Sequence, residues 1–214
     1  MRIVTASIVG GALLAGFAAI GAGLISSIYE QTKEPIAAAE RAAEARQLLE
    51  IFTASTHDNV LIDDTFEVLA NDPLLALREI GTGYRVRQSG DVVGVILPST
   101  ARDGYSGDIR LLVGVDRNGS LAGVRVLSHR ETPGLGDKVE LKKSDWVLSF
   151  NGRSLENPTS DGWAVTKDGG EFDAFTGATV TPRAVVKAVR ETLRFAEENT
   201  ADLFEVSDSV ETES

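Results

Sequence analysis

The sequence contains no cysteine. That excludes disulfides, thiolate zinc sites, haem attached through Cys-x-x-Cys-His and cysteine-ligated iron–sulfur clusters. Histidine is nearly as scarce: His57 and His129 are the only two, too few for a histidine-rich metal site. Basic residues are few as well, 21 lysines and arginines against 32 aspartates and glutamates, for a formal net charge of −11. A chain of that sign has no basic surface for phosphate backbones, which argues against a nucleic-acid partner. Any redox chemistry here therefore needs an organic cofactor. What is present is the composition of an ordinary folded protein: 214 residues, 43% hydrophobic and 25% charged. That length accommodates one domain of common size plus an appendage.

The appendage is N-terminal. After Arg2, the run from Ile3 to Ile28 carries no charge over 26 residues. A bilayer core about 30 Å thick takes roughly 20 such residues as a helix, whereas a cleaved signal has an apolar core of only about 7–15. The expectation is a retained transmembrane helix over residues 1–29. Arg2 and the terminal amine precede it, and Lys33 is the first basic residue after it. The positive-inside rule then puts the N-terminus in the cytoplasm and the rest of the chain outside it, which is the periplasm if the membrane is a bacterial inner one. Ser7, Gly11, Ala15, Ala19, Gly23 and Ser27 recur every four residues, a face on which another helix can pack closely. A helix lodged in a multi-subunit membrane complex is expected.

Beyond the span, Pro35 is placed to open a stalk helix over Ile36 to Phe52, a stretch rich in strong helix formers. The pattern then changes period. Tyr84 to Arg87 and Asp91 to Leu97 read as strands. Asp108 to Asp116 and Ser120 to Ser128 flank Asn118-Gly119, a hairpin signal because both residues tolerate positive φ. Trp146 to Phe150 is a further strand candidate. Pro182 to Asn199 reads as a helix with Thr181 as N-cap, its core face lined by Val185, Val189, Thr192 and Ala196 with Ala188 and Leu193. From Ala201 to Ser214 there are five acidic residues and no basic one, the pattern of a solvated mobile tail. The chain thus divides into a membrane helix (1–29), a helical stalk and lead-in (30–80), an α+β domain with a mainly antiparallel sheet flanked by helices (81–200) and the tail (201–214).

The chemistry lies in two segments. The first is Asp173-Ala174-Phe175-Thr176-Gly177-Ala178-Thr179, running into the Pro182 helix. Gly177 and Ala178 let a ligand approach the backbone, and the unpaired N–H groups and dipole at a helix start favour an anion such as phosphate. Thr176, Thr179 and Thr181 bring three hydroxyls within six residues. On these residues alone, a strand-to-helix connection whose threonines only cap the helix is the favoured explanation of the segment. The second is His129-Arg130-Glu131-Thr132-Pro133-Gly134-Leu135-Gly136-Asp137-Lys138, directly after the hairpin. Pro133-Gly134 marks a turn, and such a loop can wall a pocket or simply cross the surface. His129-Arg130-Glu131 has the His-x-Glu spacing of zinc deaminases, but the cysteines of that signature are absent.

Taken together, the two segments are specific. Asp173-x-x-Thr176-Gly177-Ala178-Thr179 resembles the flavinylation motif of the FMN-binding domain family, Asp-x-x-Ser/Thr-Gly-Ala-Ser/Thr, and Glu131 to Gly136 matches its companion motif. The plan from membrane span to final helix resembles the flavin subunits of Rnf-type electron-transport complexes; the related subunit of the sodium-pumping NADH:quinone oxidoreductase shares the motifs but is typically longer. The resemblance implies an extracytoplasmic FMN-binding domain with FMN held by a phosphoester to Thr179. It implies a separate flavin transferase that takes the FMN moiety from FAD, since a threonine hydroxyl is a poor nucleophile unaided. Asp173, Thr176, Gly177 and Ala178 complete the motif. Glu131, Thr132, Leu135 and Gly136 are implied as the wall beside the flavin. The implied role is electron relay within a complex that couples electron transfer between ferredoxin and NAD to ion movement, with the other subunits as partners.

Tyr105 is a candidate to stack on the ring, and Lys167, like Lys138, to offset the phosphate charge. Two other classes remain open on the residues: a membrane-anchored binding or scaffold protein without flavin, and a hydrolase using paired carboxylates such as Asp161 and Asp173.

Overall fold

A computed structural model describes residues 2–70 and 72–205, without the side chains of residues 2–10, 12, 13 and 40. The chain forms two units, Met1–Glu44 and Ala45–Ser214.

The first unit is helical and belongs to a single helix, α1 (Arg2–Ile51). Pro35 does not open a second helix as the sequence suggests; it lies inside α1. Proline removes one backbone bond there, and the flanking alanines, glutamates and arginines carry the helix through it. Among the described residues no helix is long and apolar enough to cross a membrane. The first part of the expected span, residues 1–10 with 12 and 13, lies outside the described side chains. Those that are described expose large apolar groups, Leu14, Phe17, Ile20, Leu24, Ile25 and Ile28.

The second unit is built on a five-stranded antiparallel sheet in sequential order: β1 (Thr65–Val68), β2 (Gly81–Gln88), β3 (Asp91–Ala101), β4 (Ile109–Asp116) and β5 (Leu121–Ser128). The central strands are apolar without alternation because both faces are covered. Val95 and Leu97 on β3, with Leu111 and Val113 on β4, pack in the main core with helix α2 (Val180–Glu198). Their neighbours Ile96 and Leu112 point the other way, onto Leu48, Ile51 and Phe52 at the end of α1. Gly94 and Gly114 make that second contact possible: a Cβ on Gly94 would lie 2.5 Å from the Phe52 ring, and one on Gly114 would collide with Ile51 Cγ2. The unit's core therefore reaches upstream of the residue-81 boundary read from the sequence. Arg125, buried on β5, fixes the helix end. Its Nε donates to Glu50 Oε2 at 2.9 Å and its Nη2 to the Glu50 carbonyl at 2.7 Å.

The hairpin forms at the expected place, but with a four-residue loop, Arg117 to Ser120. Only Gly119 takes a positive φ, +80°. Asn118 contributes through its side chain, whose Oδ1 accepts from Ser120 N at 3.1 Å. Asp116, at the loop's start, has its carboxyl pushed above the usual range by burial. A folded-state pKa above the unfolded one penalises folding once the carboxyl must ionise, so the cost grows as pH rises through the unfolded pKa of about 3.9 and is complete above the folded one. Asp116→Asn is therefore expected to raise thermal stability at pH 7, by less than about 1 kcal/mol at this half-exposed position, with the gain disappearing near pH 3. Melting curves at the two pH values check it.

Three expectations from the sequence are corrected by the fold. Trp146 to Phe150 is not a strand but part of a 3-10 helix, Asp145–Phe150. Ser144 Oγ caps it by accepting from Trp146 N at 3.2 Å, and the spacing of Trp146, Val147 and Phe150 buries all three together. Thr181 is not an N-cap: α2 starts at Val180, and Thr181 is a buried helical residue. The tail does not begin at Ala201, because Thr200–Phe204 forms a short helix, α3, that buries Leu203 and Phe204 in the main core. Residues 206–214 lie outside the described residues.

Candidate functional site

The turn before α2 is held at both ends. Phe175 is buried edge-on to Trp146, with ring centroids 5.0 Å apart, and the Trp146 indole N–H donates to the Asp173 carbonyl at 2.8 Å. Between these anchors, Ala178 N donates to the Phe175 carbonyl at 3.1 Å, and Gly177 supplies the positive φ of +83° that closes the turn. Asp173, Thr176 and Gly177 are exposed, while Ala178 and Thr179 are half-buried. Thr179 immediately precedes α2, yet its side chain makes no capping hydrogen bond. The Thr181 hydroxyl is turned inward and donates to a carboxylate oxygen of Glu131. Neither threonine therefore serves as the helix cap that a purely structural role for the segment requires.

The second segment packs against the first. Thr132 O accepts from Leu135 N at 3.1 Å and from Gly136 N at 3.0 Å, which folds the loop tightly. Leu135 Cδ2 lies 3.5 Å from the position a Cβ on Gly177 would take, so the Leu135 side chain lies beside that turn. Gly136 has no room for a side chain: a Cβ there would be 2.9 Å from both Glu131 Cβ and Thr181 Oγ1. Thr132 and Leu135 are exposed, whereas Glu131 is buried, and its Oε1 accepts from Ser106 N at 2.8 Å. That bond ties in the loop Gly104 to Asp108, on which Tyr105 is 72% exposed.

Lys167 is exposed on the 3-10 helix Thr166–Asp168. Its neighbour Asp168 pairs through both carboxylate oxygens with Arg183, in the first turns of α2, and that guanidinium holds the Asp168 carboxyl below its usual range. Lys138 is half-buried on the short helix Asp137–Val139. Asp161, on the short helix Ser160–Gly162, is exposed like Asp173. Ser106 and Arg183 escaped the sequence reading. Ser106 contributes only its backbone N–H, which no sequence pattern marks. His129 Nδ1 accepts from Glu131 N at 3.0 Å, which leaves the proton on Nε2 for Glu140 Oε1 at 2.6 Å. Arg183 had one available signal: a cation near a helix N-terminus opposes the helix dipole and calls for an anion beside it.

Residues 104–194 match the FMN-binding domain family, and residues 1–51 match the RnfG N-terminal region. The G subunit of an ion-translocating oxidoreductase complex from Pseudomonas aeruginosa (strain UCBPP-PA14) is 50% identical over 189 residues, covering 88% of each chain. The chain belongs to the RnfG family of ion-translocating oxidoreductase complex subunits. Family members from Shewanella amazonensis and Vibrio vulnificus are 45% and 43% identical, over 91% and 86% of this chain and 90% and 87% of theirs. In this RnfG family member, the FMN-binding match begins at the Tyr105 loop and encloses both motifs. The segments it encloses are those that Glu131 and Leu135 draw together.

Proposed function

We propose that this protein is the covalent-flavin electron carrier of a membrane-bound ion-translocating complex, with FMN attached to Thr179 by a phosphoester. The observation that carries the proposal is the state of Thr179. Its hydroxyl stands at the start of a 19-residue helix, half-exposed and unused as a cap, on a turn beside which Leu135 of the companion motif lies. The unpaired N–H groups of the first helical turn and the helix dipole suit a phosphate there. Lys167, beside Asp168, is the cation proposed to offset the phosphate charge; Arg183 is already paired with an anion, Asp168.

FMN supplies the redox chemistry when bound; this chain supplies the attachment oxygen, the position and the degree of exposure. Thr176, Gly177 and Ala178 keep the turn narrow. Thr132, Leu135 and Gly136 form the wall, and Tyr105 offers an aromatic face. Asp173, exposed and with its carbonyl held by Trp146, either assists the flavin transferase during maturation or fixes the local turn. A covalent link retains the cofactor outside the cytoplasm while leaving the ring free to exchange electrons with neighbouring subunits.

The uncharged run from Ile3 to Ile28 anchors the protein in the bacterial inner membrane, with the flavin domain on the periplasmic side. The exposed apolar side chains from Leu14 to Ile28 support this, because in water they would be left without cover. The relatives are named as parts of an ion-translocating oxidoreductase complex. An assembly of that kind, coupling ferredoxin–NAD electron transfer to ion movement, is the expected setting of this chain.

The test is the intact mass of the full chain after co-expression with a flavin transferase. A gain equal to FMN less one water, with flavin absorption that stays with the denatured chain, is expected. An unmodified chain, with the transferase active on another acceptor, overturns the proposal.

A further inference from the structure

We propose that Glu131 is a positioning residue whose buried carboxylate clamps the Tyr105 loop to the start of α2, and so sets how Tyr105 covers a flavin on Thr179. The part concerning the flavin rests on the function proposed above; the clamp itself does not.

Glu131 is only 4% exposed, and among the described residues no lysine, arginine or histidine forms an ion pair with it. A buried carboxylate without a cation depends on hydrogen-bond donors, because leaving it unpaired is costly. Glu131 takes those donors from two distant segments. Ser106 N, 25 residues upstream, donates to Oε1 at 2.8 Å, and the Thr181 hydroxyl, 50 residues downstream, donates to Oε2. The residue's own N–H is held by His129 Nδ1, and Gly136 closes against its Cβ. The backbone is thus fixed before the side chain reaches out. One end of the clamp holds the residue next to Tyr105; the other holds the residue two past Thr179. A carboxylate turned inward onto these partners is not available to a ring on the surface, so Glu131 serves the site by placing what surrounds it. Tyr105 itself is free to meet a ligand, being largely exposed on a loop whose neighbouring amide is pinned.

The experiment uses the full chain, with and without flavin loading, and reads amide hydrogen exchange over residues 104–108. Glu131→Ala is expected to speed exchange at Ser106 by about ten-fold in both states, since the buried acceptor for its N–H is lost. Glu131→Gln is expected to restore protection, its oxygen accepting from Ser106 and its amide donating to Thr181. Thr181→Val, which cuts the clamp at its other end, is expected to loosen the same loop and serves if Glu131→Ala fails to fold. In the loaded chain, Glu131→Ala and Tyr105→Leu are both expected to increase quenching of flavin fluorescence by iodide, the latter with Ser106 exchange unchanged. Unchanged exchange in Glu131→Ala overturns the clamp, as does a Gln variant as loose as Ala, because Gln keeps an acceptor for Ser106 N and a partner for the Thr181 hydroxyl. Unchanged iodide access in both variants overturns the role of Tyr105. A chain that shows Glu131-dependent protection but takes up no FMN sinks the flavin reading and leaves the clamp standing; a loaded chain without that protection does the reverse.

Discussion

Thr179→Val is expected to abolish flavin attachment completely while leaving the fold intact. Valine matches threonine in shape and replaces the hydroxyl with a methyl, so no nucleophilic oxygen remains for the phosphoester. The hydroxyl makes no capping bond and the side chain is half-exposed, so the stability change should stay within about 0.5 kcal/mol. That combination separates loss of chemistry from loss of structure. Thr179→Ser keeps the oxygen and is expected to remain loaded. Thr176→Val alters the motif three positions earlier but leaves the Thr179 oxygen in place, so it is expected to be loaded more slowly and only on Thr179. Intact mass of each variant after co-expression with the transferase checks all three. Retention of FMN by Thr179→Val moves the attachment elsewhere.

Phe150→Ala is expected to destabilise the flavin domain severely. The ring is fully buried and sits at the centre of an aromatic group. It stacks on Phe172 at 4.7 Å, meets Trp146 edge-on at 5.3 Å and lies 6.4 Å from Trp163. Truncating a buried phenylalanine costs about 3–5 kcal/mol, from lost transfer energy plus the cavity left behind. Against a typical domain stability of about 5–15 kcal/mol, that is a large share. The melting temperature should fall by roughly 10 °C. The damage should also reach the site, because Trp146 carries both the Phe175 ring contact and the hydrogen bond to Asp173 O. Phe150→Leu, which keeps most of the volume, should lose less than half as much. Thermal unfolding followed by near-UV circular dichroism measures both; a fall of only one or two degrees in Phe150→Ala contradicts the core placement.

Sequence signals and structure agree where local physics decides. Gly119 breaks the apolar run into the β4–β5 hairpin, and the apolar spacing of Val185, Val189, Thr192 and Ala196 makes a helix with that face buried. They part where distant residues decide. Trp146 to Phe150 is apolar and bulky enough for a strand, but Ser144 caps a 3-10 turn and the buried aromatic group takes its rings. Leu203 and Phe204 sit in an acidic stretch that reads as solvated, yet the main core offers them a place. Pro35 reads as a helix start, but helix formers on both sides continue through it.

The sequence by itself determined the absence of thiol and histidine-rich metal chemistry, the uncharged N-terminal run, the antiparallel strands around Asn118-Gly119 and the two motifs that point to the family. Each of these rests on composition or on residues adjacent in the chain. Only the tertiary structure decided that Thr179 is spared from capping, that Leu135 lies beside the Gly177 turn, and that Glu131 is buried between Ser106 and Thr181. The physical reason is that a hydrogen bond or a close contact depends on separation in space. A backbone N–H 25 residues upstream and a hydroxyl 50 residues downstream become the two donors to one carboxylate only after the sheet and α2 have packed.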